Sequence, residues 1–179
     1  KGFTKLLAEQ LAERYPEYGL TEKRINVIVA ASALHDVGKI AISDSILLKP
    51  GRLTKEEFEI MKTHTTEGCA IIEHMKGIGA SEYEKVSYEI ARHHHERYDG
   101  GGYPDGLRGD EIPIAAQIVA IADVYDALVS KRCYKDAYGK SEAFRMIMAG
   151  ECGVFSEKIL TCLAKAKENF EALADAYAE

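Results

Sequence analysis

Histidine and aspartate residues with metal-binding side chains recur along this sequence at regular intervals. They fall into four clusters, and each cluster follows the previous one after about 30 residues. Imidazole nitrogen suits divalent transition metals, and a carboxylate can bridge two ions. These residue types therefore predict a site for a small group of divalent metal ions. The six candidate ligands are His35, Asp36, His64, His94, His95 and Asp123.

Each candidate also has a simpler interpretation. A single His or Asp at the end of a helix usually caps that helix or interacts with its dipole. The three consecutive histidines at positions 93–95 are harder to explain in this way. Within that run we interpret His93 as an exposed neighbour of the ligands. We interpret His74, which lies inside a predicted helix, as structural.

Two further segments could contact a ligand that contains phosphate. Five of the ten residues at 100–109 are Gly, which allows a backbone to approach a ligand closely. Within this loop, Tyr103 and Pro104 offer a rigid aromatic face on which a base could stack. Arg132 and Lys135 follow further along the chain and could hold phosphates. Taken alone, the first segment would be a surface turn and the second a solvated face.

Length and composition restrict the class of protein. The chain has 179 residues, of which 46% are hydrophobic and 29% charged, and this suits one globular domain. No apolar run approaches the 18 residues of a membrane span, and no secretory signal is evident. We therefore expect a cytoplasmic location and four free cysteine thiols. The net charge of −6 argues against a surface that binds nucleic acid polymers.

The periodicity of apolar residues is helical, and it predicts an all-α single domain of about seven helices. Thr21, Thr54, Ser81, Ser141 and Ser156 are the predicted helix starts. The second helix should run as far as His35, and residues 115–129 should form the fifth. The third should present an apolar face that includes Phe58 and Met75. Residues 40–42 form the only candidate strand.

This arrangement explains how distant clusters could meet. About 30 residues correspond to one helix and its return loop, so successive clusters would reach the same end of a helical bundle. Asp36 directly follows His35, and neighbouring side chains on a helix differ by about 100°. The two side chains could therefore meet different sides of a pair of metal ions, with Asp36 as the bridge between the ions.

Several motifs together resemble the HD-GYP subfamily of HD-domain phosphohydrolases. The similarity extends over most of the chain, from about Phe3 to Phe155, and the motifs occur in the subfamily's order. They are HDVGK at 35–39, MKTHT at 61–65, HHE at 94–96, DGGGYP at 99–104, IADVYDAL at 121–128 and RCYK at 132–135. Residues 42–53 are also similar to the subfamily.

This resemblance implies a helical fold with two or three divalent metal ions, commonly iron or manganese. It implies hydrolysis of the bacterial messenger cyclic di-GMP to pGpG or GMP by a hydroxide that bridges two metals. Asp36 and Lys39 would be catalytic, and the six candidate ligands named above would bind the metals. The substrate would be bound by Lys39, Gly102, Tyr103, Pro104, Arg132 and Lys135.

The chain also departs from the subfamily pattern. Members carry another His on the first helix, and three-metal members add a Glu one turn earlier. Aligning Phe3 with that pattern places this His about one turn before Lys1. We therefore expect residues 1–179 to be an N-terminally truncated HD-GYP domain from a longer protein with an upstream sensory or receiver domain. Ser156 also replaces an Asp of the subfamily.

Two other functions fit part of the pattern. One is an HD hydrolase that acts on another nucleotide, although the Gly-Tyr-Pro loop argues against it. The other is a non-catalytic module that binds cyclic di-GMP or a diguanylate cyclase domain through the loop around Tyr103. The set of candidate ligands favours catalysis, whereas the missing first-helix His leaves the binding module open.

Overall fold

The computed structural model describes residues 1–75, 81–130 and 137–178. In these ranges the chain is all-α, as predicted, and its only β-type pairing is an isolated bridge between Asp99 and Arg108. None of the described helices has both the length and the apolar character of a membrane span. The α-helices are α1 (Gly2–Arg14), α2 (Glu22–Ala31), α3 (Asp44–Leu47), α4 (Lys55–Lys62), α5 (His64–His74), α6 (Glu82–His93), α7 (Ile114–Val129), α8 (Lys140–Met148), α9 (Glu157–Lys165) and α10 (Lys167–Ala178).

Local capping chemistry explains where several of these helices begin. Thr21 accepts a hydrogen bond from the Arg24 backbone at the start of α2. Thr54 and Ser81 each form a reciprocal capping box with a glutamate three residues later, at the starts of α4 and α6. The predicted starts at these three residues are therefore confirmed.

The predicted cap at Ser141 is wrong. Helix α8 begins at Lys140, with Gly139 as its N-cap residue. The Ser141 hydroxyl instead donates to Glu171 on α10, at 3.2 Å. Ser156 does precede α9, but its side chain makes no capping hydrogen bond. The local sequence predicts that Ser141 caps a helix, but its hydroxyl instead makes a tertiary hydrogen bond to α10.

Two predicted helices are each divided into two. The third predicted helix breaks at Thr63, whose hydroxyl donates to the Ile60 carbonyl at 2.7 Å, so that His64 begins a new helix. The last breaks at Ala166. Phe58 on α4 and Met75 at the end of α5, predicted to share one apolar face, thus belong to separate helices, and they are 46% and 65% exposed.

The segment between α2 and α3 also differs from the prediction. Helix α2 ends at Ala31, and two short 3₁₀ helices follow, at Ser32–Leu34 and Val37–Ala41. Residues 40–42 are therefore not a strand. The cause is close packing against α5, because a Cβ on Gly38 would lie 1.9 Å from the His64 carbonyl oxygen and 2.4 Å from the Gly68 nitrogen.

The main core surrounds α7, which is buried along most of its length and packs against α1 and α6. Aromatic rings from α1, α7 and α10 join there. The ring centroids of Phe3 and Tyr125 are 5.0 Å apart, and those of Phe3 and Phe170 are 5.1 Å apart. This packing fixes the position of α7, on which Asp123 lies. The described cysteines Cys69, Cys152 and Cys162 form no disulfide bond with one another, and Cys133 lies outside the described residues.

The close approach at Gly38 generates a first prediction. In Gly38→Ala, the new methyl group would overlap backbone atoms of α5, and we expect the free energy of unfolding to fall by about 3 kcal/mol. Gly139→Ala is the matched control, because a Cβ at Gly139 meets open space, and a loss below about 1 kcal/mol is expected there. Chemical denaturation measures both, and equal losses would contradict the prediction.

Candidate metal centre

Four of the six predicted ligands lie together at one place in the fold. Asp36, His64, His94 and His95 each offer one ligand atom, and these atoms all lie within 4.8 Å of one another. Asp36 Oδ1 is 3.4 Å from His64 Nε2 and 3.8 Å from His94 Nε2. Asp36 precedes a 3₁₀ helix, His64 begins α5, and the two other histidines directly follow α6. Element ends thus bring the ligands together, as the spacing predicted.

Three of these ligand atoms are buried without a hydrogen-bond partner among the described residues: Asp36 Oδ1, His64 Nε2 and His94 Nε2. A buried polar atom without a partner normally destabilises a protein by a few kcal/mol. Here the three atoms face one another, and a cation placed among them would satisfy all three. The residues therefore fit a divalent metal ion.

Backbone carbonyl groups set the orientation of the histidine rings. The Nδ1 atoms of His35, His64 and His94 lie 2.8, 2.6 and 2.9 Å from the carbonyl oxygens of Ser32, Met61 and Ile90. A carbonyl oxygen can only accept, so Nδ1 carries the proton. The Nε2 atoms of His64 and His94 then each have a free lone pair, and a ligating histidine is typically held in this way.

The other oxygen of Asp36 faces the remaining predicted ligands. Asp36 Oδ2 lies 3.3 Å from His35 Nε2, which is 3.5 Å from Asp123 Oδ1 on α7. Burial would lower the pKa of His35, but hydrogen bonds to Asp123 and Asp36 raise it to about 10. A metal ion at this position would have to displace that proton. The Lys39 ammonium also donates to Asp36 Oδ2, at 2.5 Å.

The charges around the cluster favour cation binding. Burial would raise the pKa of Asp36, but the hydrogen bond and positive charge of His35, together with the hydrogen bond from Lys39, hold it well below its usual range. Burial lowers the pKa of His64, and burial together with the neighbouring histidines lowers the pKa of His95. An ionised carboxylate and neutral imidazoles are the states that bind metal ions.

The glycine-rich loop returns to this cluster. The ring of Tyr103 stacks on His95, with centroids 4.8 Å apart and planes 19° apart, and a cis peptide bond joins Tyr103 to Pro104. A Cβ on Gly102 would lie 2.4 Å from Glu96 Cα. The predicted close approach at this glycine is therefore to the chain's own backbone, within the segment that follows α6.

Glu96 anchors the loop, a role that the HHE motif at 94–96 does not predict. Its side chain is only 2% exposed. The carboxylate accepts hydrogen bonds from the backbone nitrogens of Asp105, Gly106 and Leu107, at 2.7, 3.1 and 3.1 Å. An acidic residue shortly before a glycine-rich loop was the available signal. The loop that carries Tyr103 is thus tied to the residue after His95.

His93 and His74 lie outside the cluster, as predicted, but His93 is not the exposed neighbour that we expected, because its side chain is only 13% exposed. His74 is the last residue of α5 and is exposed. His93 Nε2 is 3.1 Å from Asp105, which also binds Arg92 through two hydrogen bonds of 2.7 Å. His74 Nδ1 is 2.7 Å from the Ala70 carbonyl oxygen. The predicted phosphate-binding residues at positions 132 and 135 lie outside the described residues.

Comparison with known proteins places these features in context. A family model described as HD domain matches residues 5–152. A Vibrio cholerae protein named cyclic di-GMP phosphodiesterase is 42% identical over 177 residues, covering 96% of this chain and 35% of the relative. The cyclic di-GMP phosphodiesterase response regulator RpfG of Xanthomonas campestris is 43% identical, covering 93% and 41%. A V. cholerae protein named 3'3'-cGAMP-specific phosphodiesterase 2 is 44% identical, covering 94% and 31%.

The fold has solved counterparts. Bd1817, an HDG"Y"P protein from Bdellovibrio bacteriovorus, superposes with a TM-score of 0.67 at 21% identity, over 93% of this chain and 51% of that one. At this identity the match concerns the fold alone. The chain spans less than half the length of the curated relatives described above.

The unpartnered nitrogens generate a second prediction. His64→Ala removes one of the buried nitrogen atoms that could bind a metal ion, and we expect the affinity for Mn²⁺ to fall by about a hundredfold or more. His74→Ala, on the same helix but outside the cluster, should retain wild-type affinity. Calorimetric titration with Mn²⁺ measures both, and an unchanged affinity in His64→Ala would show that the cluster is not a metal site.

The anchoring role of Glu96 generates a third prediction. In Glu96→Gln the carboxamide cannot reproduce all three charge-assisted hydrogen bonds, and we expect the free energy of unfolding to fall by about 2 kcal/mol. The exposed Glu67 on α5 supplies the control, because Glu67→Gln should change this energy by less than about 0.5 kcal/mol. Urea denaturation measures both variants, and equal free energies of unfolding would contradict the anchoring role of Glu96.

Proposed function

The chain belongs to the HD domain family, and from this premise we propose that it is the catalytic domain of a metal-dependent phosphodiesterase that hydrolyses cyclic di-GMP. The observation that carries the proposal is the Asp36 carboxylate, whose two oxygens face separate groups of candidate ligands. The names of the relatives supply the substrate, since several are called cyclic di-GMP phosphodiesterases.

The residues suit a pair of divalent ions. Asp36, His64, His94 and His95 would hold one ion, and His35 and Asp123, with the second oxygen of Asp36, would hold another. The donor set contains nitrogen and oxygen atoms and no thiolate, which supports iron or manganese. Such ions, when bound, supply a water of lowered pKa and positive charge for phosphate oxygens.

The chain's own residues would orient the substrate. Hydrolysis forms a bond from water oxygen to phosphorus and breaks the bond to the 3′ oxygen, which leaves a 5′-phosphate on linear pGpG. Repetition at the second diester yields GMP. The Lys39 ammonium would stabilise charge on the reacting phosphate. Arg132 and Lys135 would bind the other phosphate, and Gly102, Tyr103 and Pro104 would shape the substrate surface.

Since the chain spans less than half the length of its curated relatives, we propose that an upstream regulatory domain accompanies it. One of those relatives is named a response regulator, which supports a receiver domain. Binding to diguanylate cyclase domains and a cytoplasmic location stay predictions.

Cyclic GMP-AMP is a second candidate substrate. The relative named 3'3'-cGAMP-specific phosphodiesterase 2 is as similar in identity as the relatives named for cyclic di-GMP. Both molecules contain two purines and two phosphodiester bonds, so the same metal centre could act on either. Turnover of the two substrates by the same preparation would rank them.

A fourth prediction tests the proposed reaction. The protein, loaded anaerobically with Fe²⁺ or with Mn²⁺, should convert cyclic di-GMP to pGpG or GMP, as measured by chromatography. Asp36→Ala removes the shared carboxylate, and we expect turnover to fall about a thousandfold, together with metal content by elemental analysis. His74→Ala should retain both.

Three outcomes would contradict the proposal. Full turnover by a metal-free Asp36→Ala protein would exclude the shared carboxylate as a catalytic ligand. Binding of cyclic di-GMP without turnover by the metal-loaded wild type would favour the non-catalytic module. Preferential turnover of deoxynucleoside triphosphates would favour an HD hydrolase of another nucleotide.

A further inference from the structure

A half-exposed phenylalanine continues the line of rings that begins at the metal centre. Phe58 lies on α4, and its ring meets that of Tyr103 edge-on, with centroids 6.1 Å apart and planes 83° apart. Tyr103 in turn stacks on His95. Phe58 is 46% exposed, so a large aromatic surface lies open to solvent two ring contacts from a candidate metal ligand.

A lysine ammonium lies against both outer rings. Lys62 follows Phe58 by one helical turn, and its Nζ is 5.5 Å from the centroid of Phe58 and 5.6 Å from that of Tyr103. Both distances are within the range of cation–π attraction. Glu59 also pairs with Lys62 Nζ, at 2.7 Å. Lys62 thus holds a positive charge beside the exposed ring.

The exposure of the two rings assigns them different roles. The ring of Tyr103 is partly buried and stacks on that of His95, so one of its two faces is covered. Phe58 is the ring with the open surface. The edge-on contact with Tyr103 therefore holds the ring of Phe58 in place. The sequence alone predicts a different arrangement, in which a base stacks on Tyr103 itself.

We propose that Phe58 binds a purine base of the substrate by stacking, and that Lys62 positions the ring and faces a substrate phosphate. This inference rests on the proposed function, because a cyclic dinucleotide places a base beside each phosphodiester held at the metal centre. A base has an extended π-face that matches an open aromatic ring, and its phosphates match an ammonium group.

Stacking recognises the face of a base and not its hydrogen-bonding edges. The contribution of Phe58 should therefore be similar for guanine and adenine. Phe58 would raise affinity for both cyclic di-GMP and cyclic GMP-AMP without choosing between them. This sets Phe58 apart from any residue that reads the edge of the base.

A fifth prediction tests this assignment through substitutions of the ring. Phe58→Ala should raise KM about tenfold for both cyclic dinucleotides, which corresponds to about 1.4 kcal/mol. The value of kcat and the metal content should stay within about twofold, because the ligands are unchanged. Phe58→Tyr should retain the wild-type KM, whereas Phe58→Leu, which is apolar but lacks a π-face, should resemble Phe58→Ala.

The same helix offers a matched control. Ile60 is 47% exposed and lies two residues from Phe58, about 200° around the helix axis. Ile60→Ala should leave KM unchanged. A KM for Phe58→Ala equal to that of Ile60→Ala would overturn the inference, as would a wild-type KM for Phe58→Leu.

A binding measurement separates this inference from the proposed reaction. Calorimetry with the metal-loaded protein compares GMP, which carries a base, with inorganic phosphate, which does not. In Phe58→Ala, the Kd for GMP should rise about tenfold while that for phosphate stays the same. A wild type without turnover would refute the proposed function yet still permit this measurement, and equal changes for both ligands would refute stacking.

Discussion

The buried carboxylate of Asp36 is the group around which the site is organised. Its Oδ1 faces the Nε2 atoms of His64 and His94 without a hydrogen-bond partner among the described residues, and its Oδ2 faces His35 and Lys39. Burying an ionised carboxylate is costly unless positive charge compensates it. His35 and Lys39 supply part of that compensation, and a divalent cation would add to it. The close approach at Gly38 keeps the carboxylate beside α5.

One short segment, residues 94–103, connects the candidate metal centre to the proposed substrate surface. The candidate ligands His94 and His95 directly follow α6, and Glu96 after them accepts hydrogen bonds from three backbone amides of the loop. That loop returns Tyr103 to the face of His95, and Tyr103 meets Phe58. A shift of the loop would therefore displace His95 through its ring contact with Tyr103. In the same way, a shift of His95 would move the loop through the hydrogen bonds of Glu96.

Local rules predicted the helix starts whose chemistry is contained within one turn. Thr54 and Ser81 cap their helices through residues three positions later, so neighbouring sequence was sufficient. The rules failed where a distant element intervened. Ser141 bonds to α10 instead of capping α8, and residues 40–42 are not a strand because Gly38 packs against the backbone of α5.

By itself, the sequence determined which residue types recur, at what interval, and hence that helix ends would carry a metal-type ligand set. Only the tertiary structure decided which atoms meet. It placed the two oxygens of Asp36 toward different histidines, set His93 on Asp105 instead of in the cluster, and gave Glu96 its anchoring role. The reason is physical: spacing specifies which end of a bundle a residue reaches, whereas the direction of its side chain depends on the local backbone geometry and on the carbonyl that binds its Nδ1.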